Sequence, residues 1–351
     1  MLGIDRRAAR YAFTSALVLL LLYLVYLVRK TFFIFILALL FAYLLSPLVN
    51  ALDRVLPRSR TRAPALALAY IIFLGIVVVF AIQIGSRAVE QARELGAKLP
   101  AMIESLKGPA ETPQNPNSLQ AQILERLKTE VAERSGDLIS WLAAAGVKFV
   151  TVAGDLIYVV IVPILGFFFL KDGAEIRQHV LDLVQGESHR ELLDDILADV
   201  NVLLAHYMRA LVVLAVAAFT AYGIFFTVTG IPYGILLAAL AGVLEFIPMV
   251  GPLTASVMIV VVTAVAGGPV PAILIFLAVY RVIQDYILSP HLMGQGIELH
   301  PLLVLFGVFA GAEIAGIPGT FLSVPALALV RILYRRIRKA RLGLPKAPIP
   351  V

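Results

Sequence analysis

Two apolar stretches of this sequence have lengths that fit no simple membrane crossing, and they constrain the fold more than any other feature. Residues 232–266 are almost uniformly apolar. As one helix they would extend about 50 Å, well beyond the ~30 Å of a bilayer's hydrocarbon core. The stretch is interrupted at Ile247, Pro248, Met249, Val250, Gly251 and Pro252. Each arm of about 14 residues then reaches only ~21 Å, too short to cross. Residues 301–334 repeat the problem, with Gly316, Ile317, Pro318 and Gly319 between two arms. Both stretches are expected to fold back as re-entrant helical hairpins. Unwound backbone at that depth is tolerated only where protein or a watery cavity surrounds it, so the tips are candidate solute contacts.

The remainder of the chain reads as ordinary membrane helix broken by two polar segments. Of the 351 residues, 60% are hydrophobic and 15% charged, which leaves more apolar surface than a soluble domain can bury. Spans are expected at residues 11–28, 32–49, 64–85, 149–170, 206–229 and 271–288. The first two are separated only by Arg29, Lys30 and Thr31, and are read as a retained helical hairpin rather than a cleaved leader. The chain divides into three N-terminal spans (1–85), a polar extracytoplasmic segment (86–148), a fourth span with a cytoplasmic amphipathic helix (149–205), a core of alternating spans and hairpins (206–340) and a basic, proline-containing tail (341–351). Within 86–148, two amphipathic helices are expected to flank a proline-containing linker at 107–118. The fold class is therefore all-α: a polytopic helical membrane protein of about eight membrane segments, two of them broken or re-entrant hairpins.

The net charge of +6 resembles a nucleic-acid signal, but its distribution points elsewhere. Arg54, Arg58, Arg60 and Arg62, and later Arg331, Arg335, Arg336, Arg338, Lys339 and Arg341, adjoin apolar spans. That is the pattern of cytoplasmic loops, and it places both termini in the cytoplasm. The chain has no cysteine, which removes disulfides and thiolate chemistry together. No P-loop, H-E-x-x-H or G-x-S-x-G pattern is present, so neither an enzyme nor a cofactor is expected.

Aligning the hairpins on Pro232 and Pro301 brings Glu245 within one residue of Glu313, and Pro248 within one of Pro318. Each unit is then a span followed by a hairpin. Because the spans would run in opposite directions, the repeat would be inverted in the membrane, a recurring plan of transporter binding sites. Carboxylates at bilayer depth cost about 2.5–3.5 kcal/mol, which makes Glu245, Asp285 and Glu313 functional candidates. Asp285 lies four residues after Arg281, where an ion pair on one helix face and a substrate contact are both open readings. Glu245 stands just ahead of its tip, able to accept backbone N–H groups or to bind a cation. Gly307 and Gly311 near Glu313 form a close-packing pattern. His291 and His300 are read as loop or capping residues.

The chain resembles the autoinducer-2 exporter family of bacterial membrane proteins. Three runs carry the likeness: Pro163 with Gly166, Phe167, Phe168, Phe169, Leu170, Lys171 and Asp172; Gly230, Ile231, Pro232 and Tyr233 through Glu245, Phe246, Ile247, Pro248, Gly251 and Pro252; and Leu288, Ser289, Pro290, Gly294, Leu299, His300 and Pro301. The resemblance implies a homo-oligomer in the bacterial inner membrane that exports a small polar signal, with sodium/proton antiport as an alternative. Three functions stay open at this point: a small-solute exporter, a cation/proton antiporter, and a scaffold that moves nothing. The candidate pathway residues are Glu245, Pro248, Gly251, Pro252, Arg281, Asp285, Glu313, Gly316 and Pro318. The expected partners are membrane lipid, a small polar solute or monovalent cation, and further copies of the chain, with no nucleic acid.

Overall fold

A computed structural model describes residues 6–56, 62–106, 156–293 and 299–342. Every regular element among them is helical. The linker and second amphipathic helix expected within 107–148, the opening of the fourth span at 149–155 and the tail beyond residue 342 lie outside the described residues. Among those described, six helices are long and apolar enough to cross a membrane, and two shorter apolar helices accompany them. The protein is a polytopic helical membrane protein.

Helices α1 (Arg6–Leu27) and α2 (Arg29–Val55) occupy the first two expected spans. A break at Val28 (φ −93°, ψ 10°) separates them. Val28 N–H donates to the Leu24 carbonyl and Phe32 N–H to the Val28 carbonyl, both at 3.1 Å, on either side of it. Arg29, Lys30 and Thr31, which include no glycine or proline, open α2. The Arg29 guanidinium lies over the Tyr26 ring, 3.8 Å from its centroid, which shelters the charge beside the apolar run.

Helix α3 (Ala63–Phe80) opens with Pro64, where the missing N–H has no helical partner to lose. It passes through a π-helical turn, Ala81–Gly85, directly into the amphipathic α4 (Ser86–Leu106). Helix α5 (Leu156–Asp182) packs against α2 and α3. Its Gly166 permits the approach, since a methyl there would meet the Phe41 ring and the Ala38 carbonyl. The Tyr70 hydroxyl donates to the Pro163 carbonyl at 2.8 Å, and edge-to-face rings of Phe35, Phe41, Tyr70, Phe73, Phe167 and Phe169 fill the contact.

After a turn at Gly186 (φ 92°), α6 (Glu187–Thr229) runs for 43 residues, about 64 Å. The amphipathic cytoplasmic helix expected within 173–205 is thus divided between the end of α5 and the start of α6, and the boundary drawn at 205 falls inside one helix. Ion pairs Arg177–Asp194 (2.7 Å) and Arg190–Asp182 (2.8 Å) join the two parts.

Helix α6 ends in a left-handed cap at Gly230 (φ 66°), where Ile231 N–H reaches back to the Phe226 carbonyl at 2.9 Å. Helix α7 (Gly234–Leu244) then returns along α6. Small residues line this contact: Gly234 sits against Phe226, Ala238 against Gly223, and Gly242 against the Ala215 carbonyl. Residues 245–249 turn the chain into α8 (Val250–Val265), which packs back on α7. Leu237, Ala238, Ala241, Ala255, Ile259 and Val262 are buried in one core with Ala218, Tyr222 and Phe226 of α6. Helix α9 (Val270–Ile283) continues through a π-helical turn, Gln284–Leu288, into the short α10 (Ser289–Met293).

The last helical segment, α11 (Pro301–Arg341), is continuous in its hydrogen bonding except at Ala315 (φ −143°, ψ 17°) and Gly316 (φ 64°, ψ −143°). There it doubles back. Gly311 lies on the backbone of Gly319, and Gly307 on Ser323 and Leu327, contacts that only antiparallel arms can make. Its far end is clamped to α6: the Arg336 guanidinium makes a two-pronged contact with the Asp199 carboxylate and reaches Asp195 at 3.4 Å. Arg336 and Asp199 are largely buried, so removing one would strand the other at a cost of about 3–5 kcal/mol. His300 caps the segment by accepting from Leu302 N–H at 3.2 Å, the capping role read from the sequence, whereas His291 lies within α10 and bonds the Ile287 carbonyl one turn back.

Both hairpins depend on glycines whose added Cβ would strike backbone. At Gly251 the obstruction is the Leu244 carbonyl, and at Gly311 it is the Gly319 carbonyl. We expect Gly251→Ala and Gly311→Ala each to lose at least about 1–3 kcal/mol, the usual cost of overpacking, measured as thermal unfolding in detergent. Gly75→Ala, where nothing lies within 4 Å, should melt like the parent or slightly higher.

Candidate functional site

Glu245 caps the C-terminal end of α7 at the tip of the first hairpin and is only 7% exposed. A buried carboxylate needs hydrogen-bond donors, because the interior solvates a charge so much less than water does. Gln284 supplies one: its amide Nε2 donates to Glu245 Oε2 at 2.7 Å. Gln284 is itself 4% exposed, and it is the first residue of the π-helical turn after α9. The wider turn rotates the following residues out of α-helical register, a distortion frequent at functional sites. Sequence reasoning missed Gln284, because an amide between apolar residues carries no charge signal; its place one turn after Tyr280 on the face of α9 turned to the core was the clue.

An aromatic cluster lies near the carboxylate. Tyr222 from α6 and Tyr280 from α9 are both within electrostatic range of Glu245, and their rings meet edge-to-face with centroids 4.9 Å apart. Phe276 stacks against Phe225 at 4.0 Å and meets Tyr222 at 5.0 Å. The Tyr280 hydroxyl is buried without a hydrogen-bond partner among the described residues. The site thus offers a carboxylate acceptor, an amide and an unused hydroxyl beside an apolar wall.

Arg281 and Asp285 form the i,i+4 ion pair that their spacing allows, at 2.7 Å, with side chains 45% and 43% exposed. Both lie within electrostatic range of Glu245. The tip itself is tightly wound: Gly251 N–H donates to the Ile247 carbonyl at 2.9 Å, and Met249 holds a left-handed φ of 61°. Pro248 and Pro252 flank it, half-buried.

The second hairpin is not equivalent. Glu313 is exposed on the arm leading to the break at Gly316, while Pro318 begins the return arm half-buried. The structure brings Glu245, Arg281 and Asp285 into one neighbourhood and leaves Glu313 apart from it. The first tip nevertheless touches the return arm of the second hairpin, since the rings of Phe246 and Phe321 lie 6.3 Å apart. Among the described residues no three His, Asp or Glu side chains come together to hold a metal ion.

Residues 15–339 match the family described as AI-2E family transporter. The chain belongs to that family. It is 26% identical over 325 residues to the "Putative transport protein YrrI" of Bacillus subtilis (strain 168), covering 90% of this chain and 89% of the relative. It is 27% identical over 280 residues to the "Putative permease PerM" of Escherichia coli (strain K12), covering 77% and 78%. Of the three runs that carry the AI-2E likeness, the first builds the α2–α3–α5 contact and the second forms the α6–α7 turn and first hairpin. The third spans the end of the π-helical turn, α10 and the cap of α11, with Gly294 outside the described residues.

A polar helix also positions the site of this AI-2E transporter. Tyr233 makes no side-chain cap for α7; instead the Gln91 side chain of α4 accepts from Leu236 N–H at 2.9 Å, and Leu95 packs on the same core. This fills one of the orphan donors of the helix start.

We expect Gln284→Leu to destabilise the protein by about 1–3 kcal/mol, because it strands the Glu245 carboxylate. The double variant Glu245→Leu/Gln284→Leu should cost less than the sum of the single changes. A thermal double-mutant cycle on solubilised protein measures both.

Proposed function

We propose that this AI-2E protein moves a small polar solute, of the kind exemplified by autoinducer-2, along a route that passes the tips of two re-entrant hairpins. The observation that carries the reading is the Glu245–Gln284 pair, a buried carboxylate held by an amide at a hairpin tip, with the Tyr280 hydroxyl available beside it. Such a set accepts and donates hydrogen bonds to a polar solute and would gain nothing from lipid. Pro248, Gly251 and Pro252 shape the first tip, and Gly316 and Pro318 the second. Arg281 and Asp285 set the local field. Glu313, a carboxylate exposed near the second tip, calls for water or a neighbouring copy rather than hydrocarbon, which supports a homo-oligomer. Termini in the cytoplasm and a bacterial inner membrane agree with the flanking basic clusters.

Proteoliposomes loaded with autoinducer-2 test the reading. Release should exceed that from empty vesicles, and Glu245→Gln should slow it about tenfold or more, the effect of losing a charge-assisted hydrogen bond. Equal release with and without protein would remove it.

The same carboxylate favours a second reading, sodium/proton antiport, because a lone buried acid near a hairpin tip suits alternate occupation by a proton and a cation. A sodium gradient should then drive proton movement reported by a trapped pH dye and lost in Glu245→Gln; no sodium-dependent signal would eliminate this alternative.

A further inference from the structure

Where the first hairpin tip meets the return arm of the second hairpin, three residues with no assigned role form one contact chain. Phe246 follows Glu245 directly, and its ring meets that of Phe321 at 6.3 Å with an interplanar angle of 52°. Phe321 lies on the return arm of the second hairpin, four residues before Pro325. Proline has no N–H, so the Phe321 carbonyl loses its usual helical donor. The Tyr207 hydroxyl of α6, 1% exposed, donates to that carbonyl at 3.3 Å. A carbonyl left open by proline and a hydroxyl buried away from water thus satisfy each other.

Around this chain, Leu204, Met208 and Leu211 of α6, Leu40 of α2 and Val324 form a buried cluster, against which Phe246 and Phe321 are packed half-buried. The aromatic pair is the point where the first tip, beside the Glu245–Gln284 pair, touches the second hairpin. Each hairpin is otherwise built on its own glycine contacts, so the pair can part without unfolding either one. Separation would expose the Phe246 and Phe321 rings, and Thr320, which directly precedes Phe321 on the return arm, is 7% exposed while they touch.

We propose that Phe246 and Phe321 are the gate of the solute route and that Tyr207 is the latch that holds the second hairpin against it. This rests on the transport reading above, yet its test needs no transported solute. The chain contains no cysteine, so single cysteines report cleanly. Thr320→Cys, in full-length protein in proteoliposomes, is reacted with a membrane-impermeant methanethiosulfonate reagent, alone and combined with Phe246→Ala or Tyr207→Phe. Phe246→Ala should accelerate labelling roughly two- to tenfold, the span an aromatic pair contributes to a closed state. Tyr207→Phe keeps the ring and the packing, and should accelerate it roughly two- to fivefold through the lost hydrogen bond. Ala65→Cys, buried in the separate α2–α3–α5 contact, is the reference for general loosening. Unchanged labelling at Thr320→Cys in both variants would overturn the gate. Equal acceleration at Ala65→Cys would overturn it as well, by showing a loosened protein. Failure of autoinducer-2 release with the labelling pattern intact would overturn autoinducer-2 as the solute while leaving the opening at Phe246 and Phe321 supported.

Discussion

Backbone meeting backbone with no side chain between them is the constraint on which this architecture depends. Gly251 against Leu244, and Gly311 against Gly319, let the paired arms of each hairpin close on one another. In lipid an unsatisfied peptide group costs several kcal/mol, so a turn between apolar arms must satisfy its own polar groups. At the first tip Gln284 does this for the Glu245 carboxylate. Without the glycine contacts the arms would splay, and Glu245 would lose the enclosure that makes it chemically useful.

Around this pair the other helices act as walls and clamps. Helix α6 touches both hairpins: glycines 223 and 242 mark its seam with α7, while the Arg336–Asp199 contact and Ile196, Leu203, Ala328 and Ile332 hold the return arm of α11. Helices α2, α3 and α5 form a second unit through aromatic rings, and α4 reaches the start of α7 through Gln91. Among the described residues, three polar contacts between helices answer named deficits: the Pro325 gap in hydrogen bonding, the uncapped start of α7, the charge of Glu245.

Much of this was legible from lengths and breakers. Gly316 and Pro248 marked closely the places where the two apolar runs turn back on themselves. The Arg281–Asp285 pair followed from helical spacing. What the sequence concealed were features decided by tertiary contact. Gln284 is an uncharged amide, and nothing local announces that its turn widens and aims it at Glu245. Tyr207 and Phe321 lie more than a hundred residues apart, so their bond has no local signature. Arg29, Lys30 and Thr31, read as the connection between two spans, instead form the first turn of α2, because Arg29 and Lys30 are good helix formers. Equivalence of Glu245 and Glu313, suggested by the repeat, did not extend to their surroundings, since one is enclosed and the other exposed.

The uninterrupted length of α6 has a mechanical consequence. An unbroken helix of 43 residues, about 64 Å, is far stiffer than the turns that join it to its neighbours. One end carries the carboxylates gripping Arg336, and the other carries the Gly230 cap leading into α7. Tilting such a rod about its middle would displace both ends in opposite senses, so the Arg336 clamp at one end also limits how far the Gly230 end can move.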